Sequence, residues 1–104
     1  LLEFRPLESN APTLFELHEP FPNPFNPKTK IALNTTNDAK IELVIFDING
    51  RLVRKFDMSG RFPGYHVVEW DASDNKGNQV PTGVYFIRFT SEASYQVQKI
   101  VFLK

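Results

Sequence analysis

Cysteine is absent from the 104 residues. Its absence excludes disulfides, thiolate catalysis and cysteine metal sites together. It does not fix a compartment, because an exported domain with an adequate core can do without disulfides. An excess of one charge is also missing, with 12 Lys and Arg against 12 Asp and Glu. The balance removes the simplest case for nucleic acid or an anionic membrane as partner, which needs a basic surface. No apolar run approaches the ~18 residues of a bilayer span. Glycine occurs five times, always at turn-like places, so there is no phosphate-cradling loop. Methionine occurs once, so the core must come from branched aliphatics and rings.

Rings are abundant: ten Phe, three Tyr and one Trp. With 41% hydrophobic and 23% charged residues, the composition is that of one globular domain. The opening Leu1-Leu2-Glu3-Phe4-Arg5 has neither an initiator Met nor a signal-peptide layout, and we expect a piece of a longer protein. Residues 1–13 read as a linker or the end of a preceding domain, and residues 14–104 as the domain itself.

Between Glu19 and Pro27 lie Pro20, Pro22, Pro24 and Pro27. They forbid helix and leave few backbone donors for a sheet. The segment must be an extended or turning arm, and its Phe21 and Phe25 need cover from the body of the domain.

Strand signals dominate elsewhere. The expected strands are 14–17, Lys30–Thr35, Lys40–Ile48, Arg51–Met58, Gly64–Trp70, Gly83–Ser91 and Ser94–Leu103. The third is apolar on both faces toward its end, as a central strand should be. Asn49-Gly50 then predicts a tight hairpin of type I′. Seven short strands with regular turn signals predict an all-β protein, a seven-stranded antiparallel immunoglobulin- or fibronectin-like sandwich. Trp70 is the expected core anchor.

Catalytic chemistry finds little support. His18 and His66 lack ligand spacing, and are expected to be exposed and partly buried respectively. No serine lies in a nucleophile elbow. The chain is expected not to be an enzyme and to need no cofactor. Asp71, Asp74, Asn75 and Asn78 offer hard oxygens around Gly77, a calcium candidate, although the same residue types form ordinary turns. Tyr65, Tyr85 and Tyr95 could stack on sugar rings if exposed, although strand tyrosines mostly pack on neighbours.

Five motifs in order carry a resemblance. They are Pro22-Asn23-Pro24-Phe25-Asn26-Pro27, Val44-Ile45-Phe46-Asp47-Ile48-Asn49-Gly50-Arg51, Gly64-Tyr65-His66-Val67-Val68-Glu69-Trp70-Asp71, Pro81-Thr82-Gly83-Val84-Tyr85 and Lys99-Ile100-Val101-Phe102-Leu103-Lys104. Together they resemble the C-terminal sorting domain of type IX (Por) secretion cargo, type A. A related sandwich is the immunoglobulin-like domain of flagellar hook-capping proteins. Ala72 stands where the sorting family often has glycine.

The resemblance implies a non-catalytic address on a secreted or surface protein. Its implied partners are the outer-membrane secretion machinery, a surface sortase-like protease and an N-terminally attached cargo domain. It further implies cleavage near the domain's start, within 1–13. A monomer is expected. The recognition candidates are Pro22, Asn23, Pro24, Phe25, Asn49, Gly50, Gly83, Tyr85, Lys99, Val101 and Lys104. Each has an ordinary structural alternative as turn, core or solvated charge. The last strand, as an edge, offers β-augmentation to a receptor, with Lys99 and Lys104 steering toward acidic groups. The alternative functions are a carbohydrate-binding or spacer module of a secreted glycan-active enzyme, and a self-assembling subunit domain of the hook-capping kind.

Overall fold

A computed structural model describes residues 15–35, 41–58, 64–90 and 95–104. Among these residues seven strands follow one another: β1 Phe15–Leu17, β2 Thr29–Thr35, β3 Glu42–Asp47, β4 Leu52–Phe56, β5 Gly64–Trp70, β6 Gly83–Thr90 and β7 Tyr95–Phe102. They form two antiparallel sheets, β1-β2-β5 and β4-β3-β6-β7. The chain is thus an immunoglobulin-like sandwich, as the strand pattern predicts. The expected linker 1–13 and the turn near Glu92-Ala93 lie outside the described residues.

Alternation decides which side chains meet between the sheets. On one sheet Ile31 and Leu33 of β2 point inward with Val68 and Trp70 of β5. On the other, Leu43 and Ile45 of β3 face the same interior as Tyr85, Ile87 and Phe89 of β6 and Ile100 and Phe102 of β7. β3 lies between β4 and β6, which explains why it is apolar on both faces. Even its outward Val44 is buried. Trp70 is fully buried, and its Nε1 donates to the Ser73 carbonyl at 2.9 Å. His66 is half-buried, as expected. His18 is half-buried too, with its ring edge-on to Tyr65, where exposure was expected.

The order of connections brings the five motifs to one end. The start of β2, the end of β3, the end of β5, the start of β6 and the end of β7 are neighbours in register: Thr29 pairs with Trp70, Asp47 with Tyr85 and Gly83 with Phe102. The proline arm, the 48–50 turn and the 71–82 loop all close this pole.

Ala72 follows Trp70 with φ of +62° and is fully buried. Its carbonyl accepts from the Val80 N–H at 2.8 Å, which pins the loop's return. An L-residue in this region costs roughly 1–2 kcal/mol, which accounts for a preference for glycine here. Against that gain, glycine forfeits a buried methyl worth about 0.8 kcal/mol and adds about 0.4–1 kcal/mol of unfolded-state freedom. Ala72→Gly is therefore expected to change stability by less than about 1 kcal/mol in urea unfolding. Ala72→Val, branched at positive φ in a packed site, is expected to cost more than about 2 kcal/mol. Equal losses in the two variants would contradict this account of the turn.

Candidate functional site

The arm is bound to the body of the domain by ring packing and by borrowed strand pairing. Phe25 is buried, with ring centroids 5.4 Å from Trp70 and 5.1 Å from Phe102. Its main chain forms a parallel bridge to β7: the Phe25 N–H donates to the Val101 carbonyl and the Leu103 N–H donates to the Phe25 carbonyl. Asn23 continues that edge with its side chain alone. Its Oδ1 accepts from the Val101 N–H at 2.9 Å, and its Nδ2 donates to the Lys99 carbonyl at 3.1 Å. The carboxamide has the donor and acceptor of a peptide group and stands in for one.

At the other end of the arm, Phe21 exchanges both main-chain bonds with Lys30, and Thr29 Oγ1 donates to the Pro22 carbonyl at 2.8 Å. The expected cover for both phenylalanines holds only for Phe25. Phe21 is 78% exposed, because its pairing with β2 uses backbone and leaves the ring outside. The recognition candidates Pro22, Asn23, Pro24 and Phe25 thus lie together beside Lys99 and Val101 of β7, while Lys104 is exposed just beyond.

The hairpin between β3 and β4 differs from the expected type I′ turn. Only Gly50, at φ +82°, has positive φ there. The Gly50 N–H donates to the Asp47 carbonyl and the Asp47 N–H to the Arg51 carbonyl. This makes a three-residue loop of Ile48, Asn49 and Gly50, a type I turn closed by a left-handed glycine. The extra residue explains why Ile48 leaves the strand and is exposed. Asp47 organises the loop, its Oδ1 accepting from the N–H groups of Asn49 and Arg51, both at 2.9 Å. The bond from the Arg51 amide leads in holding the Asp47 carboxyl below the usual aspartate value.

Tyr85 pairs with Asp47 across the sheet, yet is buried against Trp70 with rings 5.5 Å apart. Its Oη donates to the Pro81 carbonyl at 2.5 Å. A hydroxyl reaching back four residues at the start of this strand is the corner tie of immunoglobulin-like sandwiches. Burial first, and the Asp47 charge second, raise its pKa. Tyr85 is therefore no sugar platform. Tyr65 and Tyr95 are exposed but belong to opposite sheets. An open groove of about 410 Å³ runs between the hairpin and the 80–85 segment, with Asp47, Asn49, Leu52, Pro81, Gly83 and Tyr85 in its wall.

The 71–79 loop uses its oxygens internally. Asp74 Oδ1 accepts from the Lys76 and Asn78 N–H groups. Asp71 accepts from the Ser73 hydroxyl, which leads in lowering its pKa, and lies 3.8 Å from Arg54. Asn75 closes the edge of β4: its N–H donates to the Val53 carbonyl and its Oδ1 accepts from the Lys55 N–H. Among the described residues no group of three or more His, Cys, Asp or Glu could hold a metal. The calcium candidates are brought into one loop but not into a ligand cluster. Sequence reasoning missed Asn75 as an edge cap, since its partners are some 20 residues away and nothing local signals them.

A family model described as the FlgD Ig-like domain matches residues 23–94, more than half of the chain. The chain belongs to that family. Two solved structures share the fold. One is PorU from Porphyromonas gingivalis, a dimeric latent form, with 21% identity and a TM-score of 0.66 over 89% of this chain. The other is PorZ from the same organism, an essential bacterial surface component of its type IX secretion system, with 20% identity and a TM-score of 0.59 over 85%. This chain spans 10% of the former and 11% of the latter. No curated relative matches the sequence.

Removing the Asn23 carboxamide leaves one donor and one acceptor of β7 to solvent. Asn23→Ala is expected to cost about 0.5–1.5 kcal/mol in urea unfolding. No loss would show that the side chain adds nothing to the edge. Asp47 and Asp71 have lowered folded pKa values, so the unfolded state binds more protons near pH 4. Their contribution is present above the unfolded value and lost as pH falls through the folded one. Asp47→Asn is expected to flatten the fall in stability between neutral pH and pH about 3. An unchanged acid profile would contradict it.

Proposed function

We propose that this member of the FlgD Ig-like domain family is a non-catalytic sorting domain for type IX secretion. In this reading the folded domain is the address by which an attached cargo domain crosses the outer membrane to the surface or medium. Its partners are the outer-membrane machinery and a surface protease that cuts within residues 1–13. The observation that carries the reading is the convergence of the arm, the Asp47–Gly50 hairpin, Tyr85 and the last strand on one pole of the sandwich. The likeness of the fold to PorU and PorZ supports it. One face that joins residues far apart in sequence is a folded signal, unlike a linear peptide. A carbohydrate-binding or spacer module is favoured only by exposed Tyr65 and Tyr95, on opposite sheets.

The test is a fusion of the 104-residue chain behind a Sec signal and a fluorescent reporter, expressed in a bacterium with a type IX system. Surface or medium localisation is expected. Deleting Val101–Lys104 removes Phe102 from the core and is expected to abolish both fold and export. Asn49→Ala with Lys104→Glu alters only exposed candidates and separates recognition from folding, with export reduced and melting unchanged. Periplasmic retention of the intact wild-type fusion, beside normal export of a native cargo domain, would overturn the proposal.

A further inference from the structure

β7 is an outer strand of the four-stranded sheet, and the arm closes only part of its edge. Its odd-numbered residues turn N–H and C=O outward, as the Asn23 and Phe25 bonds to Lys99, Val101 and Leu103 show. Farther up the strand, the outward groups of Tyr95 and Val97 and the N–H of Lys99 have no partner among the described residues. Proteins normally blunt such an edge. This sheet does so with Asn75 on β4 and with Asn23 on the second half of β7, which makes the open stretch selective.

The side chains beside this stretch are chemically particular. Val97 and Lys99 stand on the outer face of the sheet, opposite Arg88 and Phe86 of β6. The four alternate as apolar and cationic. Val97 is 49% exposed and Tyr95 is 65% exposed. The Arg88 guanidinium lies 4.7 Å over the Phe46 ring, and its Nε is buried without an acceptor. The Glu42 carboxylate of this face lies 3.5 Å from Lys55. Neither Arg88 nor Lys99 has an ion-pair partner among the described residues. The Lys99 cation two residues from exposed Val97, on one face beside this edge, calls for a strand that carries an acidic and an apolar side chain two positions apart.

We propose that β7 between Tyr95 and Lys99 takes up an extended acidic–apolar segment of a partner protein as an added strand. The segment's main chain pairs with Val97 and the Lys99 N–H. One carboxylate lies beside Lys99, and an apolar side chain two residues away covers Val97. The inference names the partner chemistry for the address proposed above and in that sense rests on it. Its test is a binding measurement on the isolated chain, so it can fail while export succeeds, and the reverse.

The experiment is an NMR titration of the 104-residue chain with a short blocked peptide, Glu-Thr-Val-Thr-Glu-Thr-Val, which puts glutamate and valine two positions apart on one face. The control peptide carries lysine for glutamate. Saturable shifts at the Tyr95–Lys99 amides are expected, with the glutamate peptide binding at least about tenfold tighter. Val97→Pro removes only an outward N–H, which an edge strand tolerates, and is expected to abolish the shifts. Lys99→Gln is expected to make the two peptides equal. Shifts confined to another surface, equal binding of both peptides to the wild type, or undiminished binding by folded Val97→Pro would each overturn the proposal. So would binding to phosphatidylglycerol vesicles with no response to the glutamate peptide, which would assign the face to a membrane.

Discussion

The seat of Phe25 is the contact on which the rest of the pole depends. Its ring packs on both Trp70 and Phe102, and its main chain pairs with the strand that carries Phe102. Three parts of the chain, some 30 to 75 residues apart, are thereby made into one surface. Burying such a ring is worth about 1.5–3 kcal/mol in transfer alone, and truncating it in a core typically costs about 3–5 kcal/mol. The surrounding prolines keep the arm from joining either sheet as an ordinary strand, so it lies along the edge and offers few donors of its own. The carboxamide of Asn23 supplies the pairing that a proline cannot.

Edge management follows from this. A four-stranded sheet has two outer strands, and both are met here by asparagines. Asn75 reaches β4 from the 71–79 loop, and Asn23 reaches β7 from the arm. Each uses an amide oxygen to receive an outward N–H, without adding a flat strand that would expose a new edge. Recognition surfaces are thus set by where the capping stops. The same arrangement leaves Asp47 free to organise its hairpin and Tyr85 free to tie the corner to Pro81.

Much of this was legible in the sequence, because alternation is a local signal. Ile31 and Leu33, Leu43 and Ile45, and the run through Ile87 and Phe89 announce their strands and their inward faces. The parity of Tyr85 with Ile87 and Phe89 already contained its burial, which agrees with the alternative of a packed strand tyrosine. The hairpin at Asn49-Gly50 was visible but its type was not, since a single extra loop residue changes which position takes positive φ. The tasks of Asn23 and Asn75 were illegible. Their partners lie 76 to 78 and 20 residues away, and asparagine in a turn looks the same whether or not it caps an edge. The oxygens of the 71–79 loop suit an ordinary turn as well as a cation for the same reason, and here they engage amides, a hydroxyl and Arg54.

The account's central claim is that the arm seals the second half of the β7 edge and that the first half has no main-chain partner among the described residues. Native-state amide hydrogen exchange resolves this residue by residue. The N–H groups of Val101 and Leu103, given to Asn23 and Phe25, should be protected close to the level of the core strands. Those of Val97 and Lys99, on the same outward side of the same strand, should exchange with little protection. Val101 exchanging as fast as Val97 would contradict the account, because the arm would then not hold the strand it lies against.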